Sequence, residues 1–362
     1  MTIGLGEEFR GLISAMTGSA IPFAIRPYSK NMRSVQGEPF MPERTEIRSR
    51  YDVNIIGSTP FGLPRMFAAV GPELFQKSYN IQRVFWELEK APAEWAEFFD
   101  SIDELWAPNR FVADAYRHAF TGPITIVPPF VDVDPLAFTN AAPVMPKTGR
   151  FRFFYNFDYN SKIARKNPMG AIEAFRRAFV EDRDDVELMV KSVGHFPPDY
   201  PDRAVVEAAC AGDKRIILIH QSMSRAEALG LIGSCDCYVS LHRAEGLGLG
   251  MCEAMLFGKP VIGTDYSGST DFLNADTGFP VGYRLRALEP DEYFHGDGQY
   301  WAEPDIGHAA ELMRVVVDDA ELAAQKAEAG RRYVSRKYGK ANVRASIEAR
   351  LAEIGRIPDL SV

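Results

Sequence analysis

The stretch HRAEGLGLGMCEAMLFGKPVIGTDYSGSTD, residues 242–271, sets two carboxylates, Glu245 and Glu253, on either side of three glycines. A packed core has no use for such a run, so something polar is expected to sit there. The pattern predicts a strand over 236–241, a turn through Gly246, Gly248 and Gly250, and a helix to Phe257 that Gly258 ends. The carboxyl end of a parallel strand, just before a helix N-terminus, is where α/β sheets bind ligands. Bare N–H groups and the helix dipole favour a phosphate at that point. Glycines let the main chain approach without a Cβ in the way, so Gly246, Leu247, Gly248 and Leu249 are expected to line it. Glu253, placed in the first turn of the helix, would accept hydrogen bonds from vicinal hydroxyls, as acidic residues do for ribose. Glu245, across the turn, would reach a second polyhydroxy group. A phosphate between two such groups describes a nucleotide sugar. An isolated pair of glutamates reads first as a dipole partner and a loop residue, and the surrounding sequence decides between the two readings.

A second cluster stands at FDYNSKIARKNPMGAIEAFRRAF. Lys166 comes just before a helix start, where a cation plus free N–H groups would hold a diphosphate leaving group. Arg165, Lys162 and Ser161 stand beside it. Asn167 is placed to cap the helix, and Pro168 takes its first position, where the missing N–H costs nothing.

The segment HRAEGLGLGMCEAMLFGKPVIGTDYSGSTDFL resembles the signature of retaining glycosyltransferase family 4, whose fold is GT-B. That pattern runs E-G-(F/L)-G-L-x3-E-A-M-x2-G-x-P-V-I-x-T-x2-S-G, and the chain follows it nearly throughout. Lys166 aligns with the family lysine that grips the donor diphosphate. Asn160 stands where the family usually has an arginine, so Arg165 or Lys162 takes its place. VNIIGSTPFGLPRM, VFWELEKAPAEWAEFFDSIDELWAPNRFV, ITIVPPFVDV and YWAEPD are similar to transferases of bacterial surface-polysaccharide assembly. The resemblance implies an α/β fold of two Rossmann-like domains facing a cleft. It implies transfer of a sugar from a nucleotide-diphosphate donor to a hydroxyl of a saccharide or lipid-linked saccharide, with retention at the anomeric carbon. Glu253 would hold the ribose, Glu245 the donor sugar, and Lys166 and Arg165 the departing charge. The donor is a substrate, UDP or GDP type unresolved, and no cofactor is expected. With no Asp-x-Asp and no suitable His pair, metal independence is expected.

Two departures from the family bear on the first domain. Its usual sugar-facing histidine has no counterpart among the six histidines, and Trp86–Glu87 stands at that place, with Glu87 a sugar or acceptor contact. The family's first strand precedes a glycine loop resembling IGLGEEFR, whose Gly4 and Gly6 N–H groups would face the diphosphate. Here only residues 1–3 stand before Gly4, so the first strand reads as missing or shortened. An inactive or truncated nucleotide-sugar-binding subunit, and a GT-B sugar-nucleotide epimerase, are the alternatives.

The elements that must position these residues follow from the rest of the chain. Its 362 residues exceed one ordinary core, so two domains are expected. Short apolar runs alternate with helical patterns, the mark of parallel α/β architecture. Strands are expected at 21–25, 53–56, 83–86, 105–107 and 125–127, with a helix over 109–120 that Asn109 caps. The aperiodic stretch FTNAAPVMPKTGR reads as a linker, giving an N-terminal acceptor domain at 1–137, the linker at 138–150, a nucleotide-sugar domain at 151–335 and a last helix at 336–362 that either packs on its own domain or crosses back to the first. Further strands are expected at 186–192 and 215–220, and SRAE at 224–227 reads as a capping box. Base contacts are expected from loops near Val193 and His220.

Composition excludes some classes. A net charge of −8 argues against nucleic acid, and no 18-residue apolar run is present. Arg44, Arg48 and Arg50 read as a solvated loop or a surface for an acidic acceptor or anionic lipid. Cys210, Cys235, Cys237 and Cys252 lack zinc spacing and read as buried free thiols in a reducing cytoplasm. A cytoplasmic location, either free or peripheral at the inner face of the cell membrane, is expected.

Overall fold

The computed structural model describes residues 4–28, 40–46, 51–133, 148–180, 183–193 and 199–355. The chain divides into two compact units, one of residues 1–131 with 336–362 and one of residues 132–335. The linker expected at 138–150 lies outside the described residues apart from 148–150.

The first unit opens with α1 (Gly4–Met16). Glu8, Leu12, Ala15 and Met16 are buried at helical spacing, and Glu8 meets Arg83 in two hydrogen bonds of 2.9 and 2.5 Å. Gly4 and Gly6 are therefore the start of a helix, not the glycine loop expected from the resemblance. The segment 21–25 is not a strand; it makes one isolated bridge, Ile25 with Thr45. Then come β1 (Val53–Ile56), α2 (Leu63–Val70), β2 (Tyr79–Arg83), β3 (Glu104–Ala107), α3 (Arg110–Tyr116) and β4 (Ile124–Ile126). The four strands are parallel, in the order β1-β2-β3-β4. β2 lies upstream of the 83–86 expected for it. Its buried polar residues hid it: Asn80 donates to Phe75 O and Gln82 Nε2 to Ser58 O, so both amide nitrogens find acceptors inside the fold. Asn109 caps α3 by accepting from Val112 N at 3.0 Å, but α3 ends at Tyr116, so His118 is an exposed turn residue and not a mid-helix one.

The second unit carries β5 (Phe151–Asp158), a single turn α4 (Ile163–Lys166), α5 (Pro168–Ala178), β6 (Val186–Val193), α6 (Pro201–Cys210), β7 (Ile216–His220), α7 (Arg225–Ser234), β8 (Cys237–Ser240), α8 (Leu249–Leu256), β9 (Val261–Thr264) and β10 (Phe279–Val281). Its six strands are parallel in the order β10-β9-β8-β5-β6-β7. The order reverses between β5 and β8. β11 (Tyr283–Ala287) and β12 (Tyr300–Pro304) form a separate antiparallel pair, followed by α9 (Ile306–Asp318) and α10 (Ala320–Lys337). Phe153, Tyr155, Phe157, Ile172, Phe175 and Phe179 pack the main core of this unit. The capping box at Ser224 forms in full.

The last helix, α11 (Lys340–Ile354), belongs to the first unit. It buries Val343, Ile347 and Ile354 with Leu12 and Met16 of α1 and with Ile81 and Trp106. Cys210, Cys235, Cys237 and Cys252 are free thiols, all buried, although Cys235 caps the end of α7 and is not part of a strand. Among the described residues no helix is long and apolar enough to cross a membrane.

Candidate functional site

β5 and β8 are neighbours, yet the chain leaves them toward opposite faces of the sheet, which opens a crevice at their carboxyl ends. β5 ends in a tight turn, with Lys162 at φ 62° and Asn167 at φ 54°. That conformation admits few side chains; asparagine is among those that tolerate it. Asn167 then repays it twice, capping α5 through Gly170 N at 3.1 Å and donating to Leu241 O at 2.9 Å. A further bond, Arg243 N to Arg165 O at 2.8 Å, ties the loop after β5 to the loop after β8.

These ties bring the predicted charges together. Lys166 Nζ donates to Glu245 Oε1, and Arg165 Nη1 stands 3.1 Å from Glu245 Oε2. Arg165 also donates to Ala244 O at 2.8 Å and Ser161 O at 3.3 Å, so its guanidinium is turned inward, 4% exposed. Lys166 is the cation that keeps access, at 20% exposure. Burial alone would raise the Glu245 carboxyl; the charges of Lys166 and Arg165 overcome it and set it at about 2. Glu245 is therefore a carboxylate at neutral pH. Its backbone is fixed as well, with Glu245 N donating to Ser267 Oγ at 2.8 Å and Gly268 N to Glu245 O at 2.8 Å.

α8 begins at the crevice. Gly248 caps it at φ 89°, a conformation that favours glycine. Gly250 lies in its first turn, where a Cβ would fall 2.3 Å from Tyr238 Oη and 3.3 Å from Asn156 Oδ1. The helix N-terminus can come down onto the sheet only because that side chain is absent. Glu253 sits in the second turn, not the first, and is 3% exposed. Its Oε1 lies 2.6 Å from Nη1 of Arg225, the first residue of α7.

Sequence reasoning missed three groups. Arg225 is one, since nothing near it in the chain marks its partner. The second is a clamp on Arg243, which donates to Glu303 through Nε and Nη2 at 2.9 Å each. Glu303 also accepts from Arg286 at 2.9 Å, and both guanidiniums lie over the Trp301 ring at 5.8 and 5.4 Å. With Ala302 N donating to Arg243 O at 3.1 Å, the β11–β12 pair braces the segment leading to Glu245. The motif YWAEPD held that signal. The third is His242, buried beside Glu245, with Ser240 Oγ 3.1 Å from Nδ1 and Ser269 Oγ 3.1 Å from Nε2.

His220 closes β7 on the opposite face of the sheet from Glu253, with Ser192 at Nδ1 and Glu207 Oε1 3.3 Å from Nε2. The loop after Val193 lies outside the described residues at 194–198. Lys162 lies over the Phe294 ring at 5.2 Å. Gly4, Gly6 and Glu87 belong to the first unit; Glu87 is half-buried just beyond β2, beside a buried Trp86 that donates to Lys90 O at 2.8 Å. Arg44 lies over Phe23, while Arg48 and Arg50 lie outside the described residues. Among the described residues no group of three or more His, Cys, Asp or Glu is placed to hold a metal ion.

Residues 160–283 match the family model described as glycosyl transferases group 1. That segment contains Ser161, Arg165, Lys166, His220, Glu245 to Leu249, and Glu253. No curated protein matches the chain. Among solved structures it is similar to an S. aureus TarM mutant in complex with fondaparinux, alpha-GlcNAc-glycerol and UDP, at TM-score 0.59 and 16% identity, over 82% of this chain and 54% of that one. It is similar to Anabaena Alr3699/HepE in complex with UDP and glucose, at TM-score 0.61 and 14% identity, over 84% of this chain and 78% of that one. A third is the pneumococcal O-GlcNAc transferase GtfA in complex with UDP and GlcNAc, at TM-score 0.55 and 15% identity, over 84% and 57%. The fold is the two-unit α/β fold of these glycosyltransferase structures. The chain spans about half the length of the TarM and GtfA chains.

Proposed function

We propose that the protein is a retaining glycosyltransferase of family 4 type that takes a sugar from a nucleotide diphosphate. One observation carries this reading: a buried carboxylate, Glu245, is held by Lys166 and Arg165 at the reversal of strand order, beside the N-terminus of α8. Lys166 has three donors, so it can keep Glu245 and still bind a phosphate oxygen. The free N–H groups at the start of α8 supply further donors. Glu253 accepts from the ribose hydroxyls, and Arg225 holds its carboxylate in place. Arg165 fixes Glu245 for contact with the donor sugar.

In the reaction the anomeric carbon–oxygen bond to the diphosphate breaks, and a bond to the acceptor oxygen forms on the same face. The acceptor proton passes to the departing phosphate. Lys166 and the helix donors stabilise the charge that develops there without a metal ion. The acceptor is a saccharide or lipid-linked saccharide, met at the cytoplasmic side of the membrane.

Calorimetry with UDP, GDP, ADP and CDP, with and without EDTA, tests this. At least one diphosphate binds and EDTA leaves its affinity unchanged. Lys166→Ala weakens it about tenfold or more, as loss of a charge-assisted bond should. Glu253→Ala reduces it similarly. NMR of the glycoside product gives the donor's own anomer. Folded protein that binds none of the four would end the proposal.

A further inference from the structure

Lys191 is a buried charged residue of the second unit to which the donor-binding roles assign nothing. It lies within β6 and is 2% exposed. A buried ammonium without a carboxylate is costly, and lysine is rarely fully buried unless paired. Burial lowers its pKa, and Asp158 offsets this only by charge at a distance. Among the described residues its ammonium makes no hydrogen bond and no ion pair. A cost of this kind persists where a ligand completes the site.

The register fixes where Lys191 stands. It pairs with Asn156 on β5 and Ile219 on β7. It therefore shares the sheet face of Asn156, whose Oδ1 accepts from Tyr238 Oη at 2.5 Å. The first turn of α8 covers that face, since Gly250 meets both Tyr238 and Asn156. Ser192 and His220, one residue further along β6 and β7, point to the other face. Outward from Tyr238 on β8 come Asn156 on β5 and then Lys191 on β6. Tyr238 is level with Phe154 and Met189, so two strand spacings across and two residues along, about 12 Å in all, separate Lys191 from Tyr238. With ribose hydroxyls on Glu253, that displacement is of the order of a nucleoside's length, toward the far edge of its base.

We propose that Lys191 reads the base: its ammonium donates to a ring carbonyl oxygen, so the site takes uridine or guanosine diphosphate and rejects cytidine or adenosine diphosphate. An ammonium has three donors and no acceptor. Uracil and guanine present a carbonyl oxygen at that edge, whereas cytosine and adenine present an amino group. A donor facing a donor loses the bond and leaves both groups desolvated. The inference rests on the donor reading given above and names the class of base that reading leaves open.

UDP and CDP differ only at that edge of the pyrimidine, so they form the test pair, with GDP and ADP as the purine pair. Calorimetry on the wild type is expected to show at least one carbonyl-bearing base bound about tenfold or more tightly than its amino partner. Lys191→Met is expected to bring that pair within about threefold while Glu253 and Lys166 keep diphosphate binding intact. Removing an unpaired buried charge should not lower the melting temperature. A preference that survives in Lys191→Met overturns the proposal. An equal loss for all four nucleotides also overturns it and makes Lys191 a phosphate contact. If the variant does not fold, the wild-type profile decides, because CDP binding as tightly as UDP and ADP as tightly as GDP would overturn it alone. Binding of no nucleotide to folded wild-type protein is the distinct failure of the donor reading.

Discussion

His242 is a buried imidazole three residues before Glu245, and burial lowers its pKa from the ordinary 6.5 to about 4, against the pull of Glu245. The unfolded chain takes up this proton near pH 6.5 and the folded chain only near 4. Protons therefore favour unfolding between those values, and stability rises with pH across that window. The cost is on the order of 3 kcal/mol by pH 4. Glu245, held at about 2 against an ordinary 4.5, adds its own loss as pH falls from 4.5 toward 2. Denaturant titrations from pH 4 to pH 8 should show stability falling below pH 6.5, and His242→Gln should flatten the part between pH 6.5 and 4.5. An unchanged slope in that variant would remove His242 from the account. At this scale the sequence was informative where partners share a contiguous motif. Glu245 and Lys166 were legible because each sits in a run of glycines or a helix start. Arg225 with Glu253, Arg243 with Glu303 and the facing of Lys191 depend on strand order and on residues far along the chain. No local pattern encodes those.

The element that matters most is α8, and its approach to the sheet depends on Gly250. A Cβ at 250 would collide with Tyr238 Oη, which is itself held by Asn156. Gly250→Ala should therefore displace the first turn of α8. Overpacking of this kind costs about 1 to 3 kcal/mol, and the helix N–H groups would lose their aim at a phosphate. Expected together are a lower melting temperature and a nucleotide affinity reduced about tenfold. A variant with wild-type affinity would show that α8 does not present the phosphate. Capping signals were readable: Ser224, Asn109 and Asn167 all cap as their spacing implied. β2 starts earlier than the expected 83–86 because Asn80 and Gln82 look too polar for a buried strand, and tertiary acceptors for their amide groups make them tolerable there. The resemblance makes IGLGEEFR a glycine loop, whereas the stripe Glu8, Leu12, Ala15 and Met16, buried at helical spacing, makes it the start of α1.

The first unit is built from two stretches of chain separated by the whole of the second. α11 locks into it through Arg350, which donates to Glu104 Oε1 at 2.9 Å and Oε2 at 2.8 Å. Glu104 is fully buried and also accepts from Trp106, Thr125 and Tyr79. Losing one partner of a buried ion pair costs about 3 kcal/mol. Arg350→Ala should thus destabilise the first unit by that order and leave the second unchanged. Hydrogen exchange resolved to peptides of each unit would check it, and equal protection loss in both would contradict it. Alternating strands and helices made the two-unit α/β class legible, because the repeat of β and α runs along the whole chain. The same interleaving sets a schedule during synthesis. At roughly 5 to 20 residues per second, on the order of 10 to 40 seconds pass between β4 and α11 leaving the ribosome. Through that interval Leu12, Ile81 and Trp106 lack the cover of Val343 and Ile347. The second unit, one unbroken stretch, has no such wait, so the part of the protein made first is the last to close.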